Sequence, residues 1–348
     1  MNLNKKITKQ QHELIKKIKI IKVNENEYVV CLKFLPDELL EETIQLCKDE
    51  KILWIRLEPQ DIGRLQKRGI RLNSKEFSTY FYCDTISQAP IDLLEQYGVQ
   101  RVLIGAKENI NVGKMSIETY RIIFNKLIGF VKDILPDESD EDKFKKVYKR
   151  LGEMLEYDYL AAGEGEYVEQ NENKCRNLEN AVLLNKAVCA GFAETLKQTL
   201  SLIGIECLVC SSLGDKHVYN IAKINGRWYN ADLTWDYRDI RKKKKPKFCL
   251  KSDDDFKKCK EHERMYHIPK DNVQKCESSL DVFKEYKISI TDKLKEFLKT
   301  LFSKNKNENF LSQPTNSLNN TFKENIRVVP KKEKGRNMKR NKKNEKER

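Results

Sequence analysis

The chain has 348 residues, of which 34% are charged and 39% hydrophobic, with a formal net charge of +14. That is length enough for two ordinary domains with buried cores beneath a highly charged surface. No run approaches the roughly 18 apolar residues of a membrane span, and the N-terminal MNLNKKITKQQHELIKKIKIIKV has neither a signal-peptide core nor a small-residue cleavage site, so a membrane-spanning or secreted protein is not expected.

Strand-like runs fall at residues 18–23, 28–32 and 52–57, rich in β-branched and aromatic side chains. Between them, Leu39, Leu40, Ile44 and Leu46 follow a helical period in the stretch opened by Pro36. A strand at 77–83, a helix at 91–97 and a strand at 102–104 complete a small α/β domain, expected over residues 1–107. The sequence assigns no role to it and shows no glycine-rich phosphate loop.

Two amphipathic helices follow, at 116–134 and 139–157. Ser116 and Ser139 are their N-caps, and Pro136 ends the first. Their apolar stripes read as core packing. A third helix, about 190–202 and closed by Gly204, carries Phe192, Leu196, Leu200 and Leu202 on its apolar side. It places Cys189 at a helix N-terminus, where backbone N–H groups and the macrodipole favour a thiolate. The ordinary alternative is a buried structural cysteine.

A strand at 205–212 and a turn at Gly214-Asp215 lead to a strand opened by His217. Asn225-Gly226 is a two-residue hairpin signal, and residues 227–232 return as the next strand. Alternation puts His217, Tyr219, Ile221 and Lys223 on one face, with Trp228, Asn230 and Asp232 on one face of the return strand. Pairing about the turn sets Asp232 opposite Tyr219 and diagonal to His217, about 7–8 Å away, within reach of two side chains. The hairpin alone therefore predicts an Asp232–His217 hydrogen bond. A thiol, an imidazole and a carboxylate in that order within 44 residues are the parts of a nucleophilic acyl-transfer site.

The runs Lys186-Ala-Val-Cys189-Ala-Gly191-Phe-Ala193-Glu, His217-Val-Tyr219-Asn220 and Gly226-Arg-Trp228-Tyr229-Asn-Ala-Asp232-Leu-Thr234-Trp235-Asp236 resemble the transglutaminase-like superfamily, whose catalytic core is papain-like. The resemblance covers roughly residues 140–260, within a catalytic domain expected over 108–290. It implies an α+β core in which a helix carrying the cysteine packs on an antiparallel sheet carrying the histidine and the aspartate. It also implies Cys189 as nucleophile, His217 as base and Asp232 as the partner that orients it. Asn185 stands where the family often has glycine, and Tyr219 where tryptophan is common. Asn185, Gly191, Tyr219 and Trp235 are candidate substrate-binding or oxyanion positions, and the backbone N–H of Cys189 is a further oxyanion candidate.

The activity implied is cysteine-dependent hydrolysis of peptide or isopeptide amides through a thioester. The alternatives are a transglutaminase, in which an amine accepts the acyl group, and a binding or scaffold module that keeps the fold without catalysis. No DxDxDG calcium loop is present. Cys207 and Cys210 form a CxxC inside an apolar strand without a second pair, so no metal site is expected, and no cofactor. The expected partner is a protein or peptide substrate; the oligomeric state is open. Residues 238–247, with Lys242–Lys245, form an insert beside the site, read either as a solvated loop or as a guide for acidic substrates.

Residues 291–302 have the apolar spacing of a short amphipathic helix. Beyond them 303–348 reads as a disordered basic tail, with twelve Lys/Arg against four Asp/Glu over 321–348, a net +8. The tail is a solubilising segment or a weak attractor for nucleic acid or an anionic membrane. Ten cysteines without framework spacing point to a reducing compartment, and the location expected is the cytoplasm.

Overall fold

A computed structural model describes residues 18, 20–24, 27–49, 53–72, 76, 78–105, 115–162, 177–211, 217–258 and 274–284. All belong to one compact unit, Met1–Lys287. The turn at Gly214-Asp215, the amphipathic stretch at 291–302 and the basic tail lie outside the described residues. The structure is mixed α and β.

The first half is a six-stranded sheet whose strands lie side by side in chain order: β1 (Ile20–Asn24), β2 (Glu27–Cys31), β3 (Leu53–Leu57), β4 (Ser78–Cys83), β5 (Arg101–Ile104) and β6 (Met115–Ser116). β2 to β5 run parallel, and the two outer strands are antiparallel to their neighbours. Parallel strands added always on the same side, through right-handed crossovers, carry their helices to one face. The core shows this arrangement. Helices α1 (Leu40–Asp49), α2 (Pro59–Lys67) and α3 (Ile91–Gln96) supply Leu40, Ile44, Ile62, Leu65 and Leu94 to one cluster with Val30, Ile55, Phe81 and Val102 of the strands. Val29, Cys31, Tyr80 and Leu103, of opposite parity, form a separate cluster on the other face. The stretch expected as one helix from Pro36 opens instead with a 3-10 turn at Asp37–Leu39. α2 was not expected: it is only nine residues long and mostly polar, although Ile62 and Leu65, three apart, give it a buried face, and Pro59 at its first position starts it.

Ser116 caps α4 (Ile117–Val131) through Thr119 N–H, 3.1 Å, and Ser139 caps α5 (Asp140–Met154) through Asp142 N–H, 3.1 Å. Tyr120, Ile123 and Leu127 of α4 join the first core, whereas Val131 belongs to the second. α5 stops before 157 because Glu156–Tyr157 (β7) pairs in parallel with Lys186–Ala187 (β8).

The second core gathers Phe144, Tyr148 and Leu151 of α5 and Phe192, Leu196 and Leu200 of the helix α8, Cys189–Ser201. Short helices α6 (Tyr159–Ala162) and α7 (Leu178–Leu184) lead into it. These pack on an antiparallel sheet of order β11-β10-β9, where β9 is Cys207–Ser211, β10 Val218–Ile224 and β11 Arg227–Ala231. β10 is central and covered on both faces: Ala222 and Ile224 by the second core, Tyr219 and Ile221 by Phe248, Phe256 and Cys276.

The hairpin register follows the turn: Ile224 pairs with Arg227 and Asn220 with Ala231. Asn225 and Gly226 both have positive φ, 50° and 80°, as a primed two-residue turn requires. Asp232 was expected to end the return strand. It is instead the N-cap of a helix, α9 (Leu233–Arg241), where its carboxylate accepts from Trp235 N–H at 3.2 Å. The stretch from 238 expected as an insert therefore begins inside this helix. A last short helix, α10 (Asp253–Lys257), follows.

The two cores meet on α8. Gln198 Oε1 accepts from Ile86 N–H at 2.7 Å, Gln198 Nε2 donates to Asp84 O at 3.0 Å, and Lys197 pairs with Asp84 at 2.8 Å. No helix among the described residues is long and apolar enough to cross a membrane.

Candidate active site

Cys189 is the first residue of α8, following the extended N-cap Val188. Its thiol is half-buried. Burial alone raises a thiol's pKa. Here that is outweighed by a hydrogen bond and charge from His217 and by the backbone N–H groups of Val218 and Ala190, so the Cys189 thiol titrates below its ordinary value. The Ala190 N–H is one of the orphan donors of the helix start. The other thiols given a shift, at Cys47, Cys83, Cys207, Cys210, Cys249 and Cys276, are all pushed up by burial. Cys189 is the exception in direction.

His217 stands just before β10. Its Nε2 lies 2.6 Å from Asp232 Oδ2, which leaves Nδ1 for the thiol. Burial opposes the charged imidazole, but the hydrogen bonds and charges of Asp232 and Cys189 prevail, and the pKa of His217 is raised. The Asp232 side chain is fully buried and spends both oxygens, Oδ2 on His217 and Oδ1 on Trp235 N–H. Its backbone N–H donates to Phe248 O at 3.1 Å. The structure thus brings Cys189, His217 and Asp232 together at the junction of a helix start, a strand start and a helix cap. The expected diagonal contact across the hairpin is made, although Asp232 lies one residue past the strand.

Tyr219 and Trp235 flank the imidazole. Tyr219 is buried and near-parallel to it at 6.5 Å, and Trp235 meets it edge-on at 6.3 Å. Tyr219 is thus wall rather than exposed surface. Gly191 is buried in the first turn of α8, with its carbonyl accepting from Thr195 Oγ1 at 2.7 Å. Asn185 takes the left-handed conformation, φ 57°, as the C-cap of α7, and its side-chain oxygen accepts from Lys126 Nζ at 2.8 Å.

Two buried polar residues that belonged to the quoted motifs without a role hold this geometry. Asn220 Nδ2 donates to Ala193 O in α8 at 2.9 Å and to Leu208 O in β9 at 3.3 Å. Asp236, wholly buried, accepts from Tyr148 OH at 2.8 Å, Lys247 N–H at 2.7 Å and Phe248 N–H at 3.0 Å. It thereby fixes the bent segment whose Phe248 carbonyl holds Asp232. The signal for Asn220 was its parity: it is the polar member of a row completed by Ala222 and Ile224. The signal for Asp236 was its spacing, one helical turn beyond Asp232.

Among the described residues, no group of three or more His, Cys, Asp or Glu side chains is placed to hold a metal ion. A hollow of about 360 Å³ lined by Trp228, Lys275 and Ser278 lies at the hairpin tip, the opposite end of β10 from His217.

No protein-family model matches this chain, and no curated protein matches it. Among solved structures, one described as the crystal structure of a TGase is a weak structural neighbour, with a TM-score of 0.30 and 21% identity. The likeness covers 36% of this chain and 34% of that one, so the match spans about a third of that chain's length.

Proposed function

We propose that the chain is a cysteine-dependent acyl-transfer enzyme of transglutaminase-like type, which hydrolyses peptide or isopeptide amide bonds through a thioester on Cys189. The observation that carries this reading is the His217–Asp232 contact at 2.6 Å, hydrogen-bonded onward to a thiol at a helix start whose pKa is lowered. A structural cysteine has no need of a buried carboxylate behind its histidine.

In this reading the Cys189 thiolate attacks the amide carbon, and the C–N bond breaks as the imidazolium of His217 protonates the leaving amine. Asp232 holds the ring so that Nδ1 faces the sulfur, and it stabilises the charged ring. Water then loses a proton to His217 and attacks the thioester, releasing the acid and the thiol. Trp235 and Tyr219 exclude solvent from the imidazole. The backbone N–H of Cys189 is the oxyanion donor we assign, at the open end of α8.

The test is mass spectrometry of the intact protein after brief acid-quenched incubation with a peptide mixture. An adduct on Cys189 that is absent in Cys189→Ala and accumulates in neither His217→Ala nor Asp232→Ala supports the reading. No adduct, with uniform alkylation of all thiols, sinks it. Adding a labelled primary amine separates hydrolysis from amine transfer by whether label enters the protein acceptors.

A further inference from the structure

The rim of the site carries a cation that the proposed chemistry does not use. Trp235 and Arg238 are three apart on α9 and therefore neighbours on one side of the helix. Trp235 meets the His217 ring, which places Arg238 one turn further along the same rim. On the nucleophile's side, Asp158 N–H donates to Ala187 O at 3.0 Å, and Ala161 packs on Val188, the residue before Cys189. α6 therefore flanks the thiol, and its first residue, Tyr159, reaches across to α9. The Arg238 guanidinium lies over the Tyr159 ring, 5.1 Å from its centroid. Arg238 Nε donates to Tyr237 OH at 3.2 Å, and the two tyrosine hydroxyls are 3.2 Å apart.

Arg238 is exposed yet held on two sides by aromatic groups. Among the described residues no carboxylate pairs with it, and the groups that act on its titration are the two tyrosines. Of the nearby acids, Asp158 caps the backbone of Leu160 and Ala161 and Asp239 faces Lys247 at 3.8 Å, while Glu156 lies close enough to Tyr159 to raise its pKa. Tyr159 beside it is 56% exposed. At the end of α9 and just beyond it, Arg241, Lys242, Lys243 and Lys244 are exposed as well. A fixed guanidinium on an aromatic shelf, backed by a row of cations, matches a carboxylate on an extended chain.

We propose that Arg238, stacked on Tyr159 beside the flank of Cys189, is a specificity subsite for an acidic side chain of the peptide substrate. It rests on the reading of Cys189 as the nucleophile. The substrate class it names is a peptide with glutamate or aspartate within a few residues of the reacting group.

The experiment uses the full chain and a set of peptides with an internal chloroacetyl group. The Cys189 sulfur displaces chloride, so labelling reads proximity without knowledge of the natural substrate. Each peptide carries glutamate at one of the four positions flanking the electrophile, and a control carries alanine at all four. At low salt, one or more glutamate peptides are expected to label Cys189 about threefold to tenfold faster than the alanine control. That preference falls to near one in Arg238→Gln and in 0.5 M salt, about where screening shortens to a few ångströms. Iodoacetamide, too small to reach the shelf, labels wild type and Arg238→Gln at the same rate. No preference in the wild type, or a preference that survives Arg238→Gln, overturns the subsite. Failure of the nucleophile reading looks different: iodoacetamide then modifies Cys189 no faster than the other thiols, and His217→Ala leaves its rate unchanged.

Discussion

Asn220 Nδ2 lies 2.9 Å from the carbonyl oxygen of Ala193, so the strand that follows His217 is bonded to the helix that begins at Cys189. Both partners are buried, with Asn220 only 1% exposed. The bond spans the two elements that must stay in register for the thiol to meet the imidazole. Asn220→Leu keeps the branching of the side chain but removes the donor, leaving the Ala193 and Leu208 carbonyls each short of a partner. The expected cost is about 1–3 kcal/mol of stability. The diagnostic outcome is that labelling of Cys189 slows even where the folded fraction, followed by circular dichroism, is unchanged. An effect on melting alone would make Asn220 an ordinary core contact.

The paired shifts at Cys189 and His217 predict a pH profile. The thiol is lowered and the imidazole raised, so a thiolate–imidazolium pair persists over the range between them. Iodoacetamide is therefore expected to modify Cys189 at a rate that levels off at lower pH than that of an ordinary thiol, which, with a pKa of about 8.5, gains roughly tenfold per pH unit below that value. His217→Ala should restore that ordinary rise. The same directions fix the sign for stability. His217 contributes fully below the ordinary imidazole pKa, and its contribution is lost as the pH climbs through the raised value. Cys189 contributes above the ordinary thiol pKa, and that part is lost as the pH falls through the lowered one.

α5 and α9 approach closely at Gly152, where a Cβ would stand 2.5 Å from Ile240 Cδ1 and 3.2 Å from its Cβ. The contact matters to the site because Asp232 caps α9. Gly152→Ala gains helix propensity but forces the two helices apart. The overpacking is expected to win, with a net loss of about 1–3 kcal/mol on chemical denaturation. Gly152→Ala with Ile240→Val, which removes one of the crowding methyl groups, should recover part of it. A stabilised single variant would mean that α9 can shift without cost.

Much of this site was legible in the sequence because its geometry is local. The Asn225-Gly226 turn fixes the hairpin register, and the register brings Asp232 to His217 across fifteen residues of chain. The start of α8 could be read from the apolar period behind Cys189. What escaped was non-local or short. α9 has no helix reading in the sequence, which expects a strand ending at Asp232 and an insert from 238, because Asp232 both follows one element and caps the next. The Gln198 clamp onto Ile86 joins residues 112 apart, and no periodicity in either segment announces it. The one-sided packing of the first sheet follows only once its strand order is known.

Asp236 predicts the last pH effect. Its carboxyl is wholly buried, and burial pushes its pKa up to about 7 despite the donors from Phe248, Tyr148 and Lys247. The folded protein therefore holds a proton there that the unfolded chain, with an ordinary aspartate, releases. Stability from this group is greatest below the ordinary aspartate value and is lost as the pH rises from there through about 7. Asp236→Asn stays neutral throughout but replaces an acceptor with a donor facing backbone N–H groups. The variant is expected to be less stable than the wild type at pH 5, by about 1–3 kcal/mol for the disrupted bonds. The difference should shrink towards pH 8, at no more than about 1.4 kcal/mol per pH unit. Urea denaturation of both proteins at pH 5, 6, 7 and 8 measures it. A difference constant with pH would show that Asp236 is ionised in the folded state over the whole range, with its three donors outweighing burial. Because Asp236 holds the Phe248 segment that accepts from Asp232 N–H, the same variant is expected to slow labelling of Cys189 at every pH.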